Sequence, residues 1–132
     1  KFIPKIIFNI ILKKKIPIYG NGSNIRNWIF VEDNIEAIYK ILKKGKVGEV
    51  YNIASEIELT NINIIKKIIK ILNNNFNFNL NLKKNIKFVK DRLGHDKRYS
   101  MKSNKLKKIG WKSKTTLDEG LVKTIKWFLN EK

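Results

Sequence analysis

Ten consecutive residues, Asp91-Arg92-Leu93-Gly94-His95-Asp96-Lys97-Arg98-Tyr99-Ser100, hold most of what could do chemistry in this chain. They contain its single histidine, two of its three arginines and two of its four aspartates. The chemistry that these residue types support is the capture of an anion. An arginine fork makes bidentate, charge-assisted bonds to phosphate or carboxylate that lysine does not reproduce, and Gly94 permits a turn that other residues resist. One expectation is that Arg92, His95 and Arg98 converge on a bound anion. The other is an internal cluster in which Asp91 and Asp96 neutralise Arg92 and Arg98, and spacing alone does not separate the two. Two or three such bonds at roughly 1.5 to 3 kcal/mol each would, with apolar contacts, account for micromolar binding of a phosphate-bearing ligand.

The rest of the composition narrows the function classes. Cysteine is absent and histidine occurs once, so neither a disulfide framework nor a zinc site built from this chain is expected, and a reducing compartment is permitted. Ser55, Ser100 and Ser103 lie in no nucleophile-elbow context, so no catalytic triad forms around His95. A formal charge of +18 invites a nucleic-acid reading. Yet Lys, Asn and Ile together fill half of the 132 positions, and all three have codons written largely in A and T. Ile and Asn have no electrostatic use on DNA, so compositional drift explains the charge better than a nucleic-acid partner. The same drift makes Arg26, Arg92 and Arg98 informative, since each needs a G in its codon. No apolar run reaches the roughly 18 to 20 residues that cross a bilayer. The 132 residues suit at most one modest domain, and a chain opening on Lys1 without a signal pattern reads as an internal or C-terminal piece of something longer.

The elements that must position the 91–100 segment follow from periodicity. Residues 4–14 predict a helix with Pro4 in its first turn and Ile6, Ile7, Ile10 and Ile11 on one face. Residues 16–19 predict a short strand, broken at Gly20-Asn21-Gly22; that turn lacks the strand-to-helix context of a dinucleotide-binding loop. A strand is expected over 25–31. Asp33-Asn34-Ile35-Glu36 fits a capping box for a helix running to about Lys44 on Ile35, Ile38, Tyr39, Ile41 and Leu42. Residues 49–54 predict another strand, in which Asn52 needs partners for its amide; it pins a neighbouring loop or contacts a ligand. Thr60 caps a helix over 61–72, the Asn-rich 73–85 predicts a surface loop, and 86–89 a strand feeding the 91–100 segment. A short helix starts at Ser103 or Asn104 and closes at Gly110. Thr116-Leu117-Asp118-Glu119 is a second capping box, opening a helix that buries Leu121, Ile125, Phe128 and Leu129 beside Trp127. Alternating helices and strands imply an α/β layer arrangement.

The run Asp91-Arg92-x-Gly94-His95-Asp96-x-Arg98-Tyr99 resembles a signature near the C-terminus of the dTDP-glucose 4,6-dehydratase family, extended short-chain dehydrogenases/reductases that act on nucleotide sugars. The resemblance continues in order over nearly the whole chain: Lys1-Phe2-Ile3-Pro4, Pro17-Ile18-Tyr19-Gly20, Ile25-Arg26-Asn27-Trp28, Val31-Glu32-Asp33, Tyr51-Asn52-Ile53, Gly110-Trp111, Gly120 and Trp127. Single pieces are shared with relatives that epimerise or decarboxylate sugars. The resemblance implies an α/β, C-terminal substrate-binding part lacking most of the Rossmann sheet. It implies a cytoplasmic, homodimeric enzyme that uses NAD, bound by an N-terminal region not present here. There hydride leaves the sugar's C4, water is lost across C5 and C6, and the hydride returns to C6. No glycine-rich dinucleotide loop occurs in these residues, so no catalytic residue is assigned and this stretch alone is expected to be inactive. By the same resemblance Lys1 and Phe2 lie along the nucleotide of a dTDP-sugar, Pro17, Ile18 and Tyr19 form the base pocket, and Arg26 and Asn52 contact the nucleotide and its diphosphate. Asp91, Arg92, Gly94 and His95 close over the diphosphate, with Tyr99 beside them. Leu93 stands where the family usually has proline and Lys97 where arginine is common; the first frees a φ angle and the second keeps charge without the fork.

Overall fold

Isoleucine at helical spacing builds the main layer. In the computed structural model, which describes residues 1–130, helix α1 spans Phe2–Ile11 and buries Ile6, Ile7 and Ile10. It leads into strand β1, Ile16–Tyr19, whose Ile16 and Ile18 point into the same core. Helix α3, Asn61–Phe76, presents Ile64, Ile65, Ile68 and Leu72 to that core, and helix α6, Leu117–Asn130, adds Leu121 and Ile125. Each fully buried isoleucine contributes about 2 kcal/mol of transfer free energy, so this seam of α1, β1, α3 and α6 dominates the stability.

Two small sheets frame the core. Strand β1 pairs in parallel with β4, Ile86–Val89, in the register Ile16 to Ile86 through Tyr19 to Val89. A second sheet places β2, Ile25–Asn27, between antiparallel β3, Glu58–Thr60, and parallel β5, Arg98–Tyr99. Helix α2, Val31–Lys44, packs its Ala37 against Leu106 of the short helix α5, Asn104–Lys108, and against Trp111. A four-residue helix α4, Leu82–Asn85, precedes β4. Both capping expectations at α3 and α6 hold: Thr60 accepts from the Asn63 N–H at 3.3 Å, while Thr116 and Glu119 exchange bonds across the first turn of α6. Among the described residues no helix is long and apolar enough to cross a membrane.

Four local expectations are corrected. The strand expected over 25–31 stops at Asn27, because Phe30 already holds the extended N-cap position of α2 and its carbonyl accepts from the Asn34 N–H at 3.1 Å. Asp33 is therefore not a cap. It lies inside the first turn, 3% exposed, where its carboxylate accepts from the Ser113 hydroxyl at 2.8 Å and the Thr115 N–H at 3.0 Å. Most of the expected apolar stripe of α2 faces outward: Ile35, Ile38, Tyr39 and Leu42 are exposed, whereas Ile41 packs with the buried Ala37 on the opposite side, where Asp33 is buried too. The helix is apolar on two faces, and periodicity does not say which one is covered. Residues 49–54 form no strand, since none of the described strands lies beside them to share a ladder.

The Asn-rich tract is more ordered than a surface loop. Helix α3 continues to Phe76 and closes on Asn77 in the left-handed conformation, φ 55°, a geometry that Asn tolerates better than most residues. Asn73 then clamps the returning chain, donating to the Leu80 carbonyl and accepting from its N–H, both at 2.9 Å. Phe76, Phe78, Leu80 and Leu82 pack on the main core.

Candidate ligand-binding site

Parallel pairing of β1 and β4 sends both strands out at the same end, so the turn after Tyr19 and the loop after Val89 emerge side by side. The Gly20 N–H donates to the Val89 carbonyl at 3.0 Å and ties them together. Gly20 has φ +55°, and a Cβ there would stand 2.9 Å from Asp91 Oδ2, so glycine is needed both for the turn and for the close seat of Asp91. Further along, β5 lies beside β2, and the Ile25 N–H donates to the Lys97 carbonyl at 2.8 Å. The 91–98 loop is thus pinned at both ends by the first two strands.

Within that frame the side chains converge on the Tyr19 ring. The Arg92 guanidinium stacks over it at 5.2 Å and the Lys5 ammonium lies 6.0 Å from its centroid, cation–π distances at which an aromatic face attracts charge. His95 meets the same ring edge-on at 6.3 Å and 84°. Arg26 reaches across from β2, donating to the Asp96 carbonyl at 2.9 Å and to its neighbour Ile25's at 2.7 Å. Neither Arg26 nor Arg92 forms a salt bridge with a carboxylate among the described residues. The Asp91 carboxylate is engaged by His95 Nδ1 at 2.6 Å and by the Arg92 N–H at 2.9 Å. The His95 hydrogen bond, helped by the Arg92 N–H and the nearby positive charge, holds the Asp91 carboxyl below the usual carboxylate range against its partial desolvation. The arrangement is a set of cations around an aromatic face, suited to an anion carrying a flat group.

Arg98 does not join it. Its Nε and one terminal nitrogen bind Glu58 at 3.0 to 3.1 Å, and Ser100 donates to the same carboxylate; these bonds, Ser100's first, keep Glu58 below its ordinary range. The expected convergence of three groups thus reduces to Arg92 and His95, with Arg26 arriving from β2. The alternative salt-bridge knot is also not the one formed, since Asp91 takes His95 and Arg98 takes Glu58.

The remaining sequence-assigned residues are placed as follows. Tyr99 is exposed on β5 in register with Arg26. Gly94 has φ +66° with nothing within 4 Å of a notional Cβ, so it serves the backbone turn alone. Pro17 and Ile18 lie in β1; the Ile18 side chain is in the core, which leaves its backbone for any ligand. Lys1 is exposed at the start of α1, and the Phe2 ring packs 5.8 Å from Trp28. Asn52 is exposed on the irregular 49–54 segment and makes none of the bonds that join the cluster. Sequence reasoning missed Lys5 and Asn24. The Asn24 amide, 6% exposed, donates to the Asp96 carbonyl at 3.2 Å and lies 3.3 Å from His95 Nδ1. In a chain so rich in Lys and Asn neither residue type carries a signal.

Gly20-Asn21-Gly22 joins two strands rather than a strand to a helix, so these residues do not form the phosphate cradle that a dinucleotide cofactor requires. Among the described residues no group of three or more His, Asp or Glu could hold a metal ion. A cleft of about 690 Å³ runs between Ala54–Ile57 and Gly110–Thr116 and shares no residue with the Tyr19 cluster. It holds hydroxyls and the Lys107–Glu56 ion pair.

A family model described as GDP-mannose 4,6 dehydratase matches residues 1–124. The chain belongs to that family. Among its relatives, the dTDP-glucose 4,6-dehydratase of Haemophilus influenzae is 42% identical over 137 residues, which cover 98% of this chain and 40% of the relative. The crystal structure of the Bacillus anthracis dTDP-glucose 4,6-dehydratase, in complex with NAD, superposes with a TM-score of 0.86 at 40% identity, over 98% of this chain and 39% of that one. The Streptomyces venezuelae dTDP-glucose 4,6-dehydratase, also solved with NAD, gives a TM-score of 0.88 at 30% identity, over 98% and 38%. The chain therefore spans about 40% of the length of these family members, and its α/β arrangement matches the C-terminal part of their fold.

Proposed function

We propose that this chain is the substrate-holding portion of a dTDP-glucose 4,6-dehydratase, and that Arg26, Arg92 and His95 around Tyr19 take the diphosphate of the dTDP-sugar. The carrying observation is that cluster: Arg92 and Lys5 against the Tyr19 ring, with Arg26 on the carbonyl of Asp96 in the same loop, and neither arginine salt-bridged to a carboxylate among the described residues. A thymine ring can lie against Tyr19 and β1 while the diphosphate meets the forks. Membership of the family and the names of the 38–42% identical relatives support the substrate class.

In this reading residues 1–132 are one nucleotide-sugar-binding unit and bind and orient substrate. NAD, held by sequence outside these residues, supplies the hydride chemistry, so the chain alone turns nothing over. The whole enzyme is read as a cytoplasmic homodimer. Calorimetric titration of the chain with dTDP tests the site. Arg26→Ala is expected to weaken binding by about 10- to 100-fold, the size of one charge-assisted hydrogen bond lost. An unchanged affinity in that variant would refute the assignment. When the chain is joined to its upstream coding sequence, NMR of the product is expected to show a 4-keto-6-deoxy sugar; an epimer instead would move the protein to a different activity in the superfamily.

A further inference from the structure

His95 is gripped from three sides, and what grips it decides which of its nitrogens a ligand can meet. Its side chain is only 6% exposed. Asp91 Oδ1 lies 2.6 Å from Nδ1, the Asn24 amide nitrogen lies 3.3 Å from the same atom, and Tyr19 closes the ring's edge. These contacts place a proton on one of its nitrogens. Asn24 must turn its NH₂ toward the Asp96 carbonyl, 3.2 Å away, because two oxygens there would repel. An ionised Asp91 beside a bare Nδ1 lone pair would repel too, so the proton sits on Nδ1 and is donated to Asp91. Asn24 cannot then donate to Nδ1; it packs against that side of the ring and fixes the loop at Asp96. With Nδ1 committed, Nε2 is the nitrogen left for a bound group; a phosphate oxygen there needs a donor, so His95 meets an anion with a second proton on Nε2 while Asp91 accepts from Nδ1.

We propose that Asp91 and Asn24 are positioning residues for His95: Asp91 fixes its Nδ1–H tautomer, Asn24 fixes the loop that carries it, and together they reserve Nε2 for the ligand. The same Asp91 carboxylate seats against Gly20, so the turn after β1 and the orientation of the imidazole are set as one unit. Asp91 was expected to touch substrate itself; here its oxygens face His95, the Arg92 N–H and Gly20 instead. The ligand's identity as a nucleoside diphosphate rests on the function proposed for the site, whereas the tautomer does not.

One histidine in the chain makes the test direct. In ¹⁵N-labelled protein at a pH where the ring is neutral, ring nitrogen shifts report which atom carries the proton. The expected spectrum is the Nδ1–H form. Asp91→Asn, whose amide can donate to Nδ1, is expected to move the ring toward Nε2–H, and Asp91→Glu to restore part of the Nδ1–H population. Dissociation constants for dTDP are expected to rise about tenfold in Asp91→Asn, one hydrogen bond's worth, and by a similar factor in Asn24→Ser. Asp91 is exposed, so its variants fold and carry the test even if the buried Asn24 position does not tolerate change. A wild-type ring in the Nε2–H form, a tautomer indifferent to Asp91→Asn, or a switched tautomer with unchanged dTDP affinity would each overturn the proposal. Failure of the wild-type chain to bind dTDP at all would instead refute the diphosphate reading, and the ring spectra would still decide the tautomer lock.

Discussion

Asp33 offers the sharpest quantitative test of how the chain is held together. Its carboxylate, 3% exposed, accepts from Ser113 Oγ at 2.8 Å, the Thr115 N–H at 3.0 Å and Thr115 Oγ1 at 3.2 Å. It thereby fastens the 113–115 segment, which leads into α6, to the first turn of α2. Asp33→Asn keeps one carbonyl oxygen but loses the charge, turning two bonds worth roughly 1.5 to 3 kcal/mol each into neutral ones worth roughly 0.5 to 1.5. The expected loss is about 2 kcal/mol. Asp33→Ala removes all three acceptor contacts and strands the Thr115 N–H, for about 4 kcal/mol. Urea unfolding followed by tryptophan fluorescence reads this well, since Trp111 Nε1 donates to the Asp33 carbonyl at 3.2 Å. The pH dependence has a defined sign. Although desolvation opposes ionisation, hydrogen bonds from Ser113, the Thr115 and Lys114 backbone and the Thr115 hydroxyl hold the folded carboxyl below its ordinary value. A depressed folded pKa contributes stability that is present above the unfolded value, about 3.9, and is lost as pH falls through the folded one. The gap between wild type and Asp33→Asn is therefore expected to be full at neutral pH and to close in acid below about 4. A gap under about 0.5 kcal/mol at neutral pH, or one that does not shrink in acid, would refute the account.

Other perturbations separate the site from its surroundings. Arg98→Ala breaks only the exposed pair with Glu58, so a stability change within about 1 kcal/mol and unaltered dTDP affinity are expected from unfolding and titration. Gly20→Ala and Gly94→Ala both force a side chain into left-handed backbone, at about 1 to 2 kcal/mol each. Only at Gly20 does the new Cβ meet Asp91, so only there is the His95 tautomer expected to change in ring ¹⁵N spectra. Leu42 is 79% exposed on the outward stripe of α2. Leu42→Glu is expected to leave stability within about 0.5 kcal/mol while reducing self-association in sedimentation, because exposed apolar faces promote it.

Local physics made much of this protein legible from its residues. Isoleucine spacing located α1 and α3, the apolar spacing of Leu121, Ile125, Phe128 and Leu129 located α6, the apolar run at 16–19 located β1, and the Thr60 and Thr116 caps marked where helices begin. Each of these depends on neighbours within a turn or two. The scarcity of arginine in a lysine-rich chain likewise singled out Arg26, Arg92 and Arg98, without saying which of them takes a carboxylate of this chain. Tertiary structure decided which distant groups the charges took. Arg98 found Glu58 because β2 brings β3 and β5 to its two flanks, and Asp33 found Thr115, 82 residues away, leaving its expected cap role empty. Residues 49–54 have strand composition but no strand, since a ladder needs a second chain segment and composition supplies only one. The Asp91–Ser100 run shows the division most clearly: its content left an anion site and an internal salt-bridge cluster both open, and only the parallel pairing of β1 with β4 set Tyr19 against His95 and Asp91 against Gly20. That pairing joins residues some seventy positions apart, beyond the reach of any local pattern.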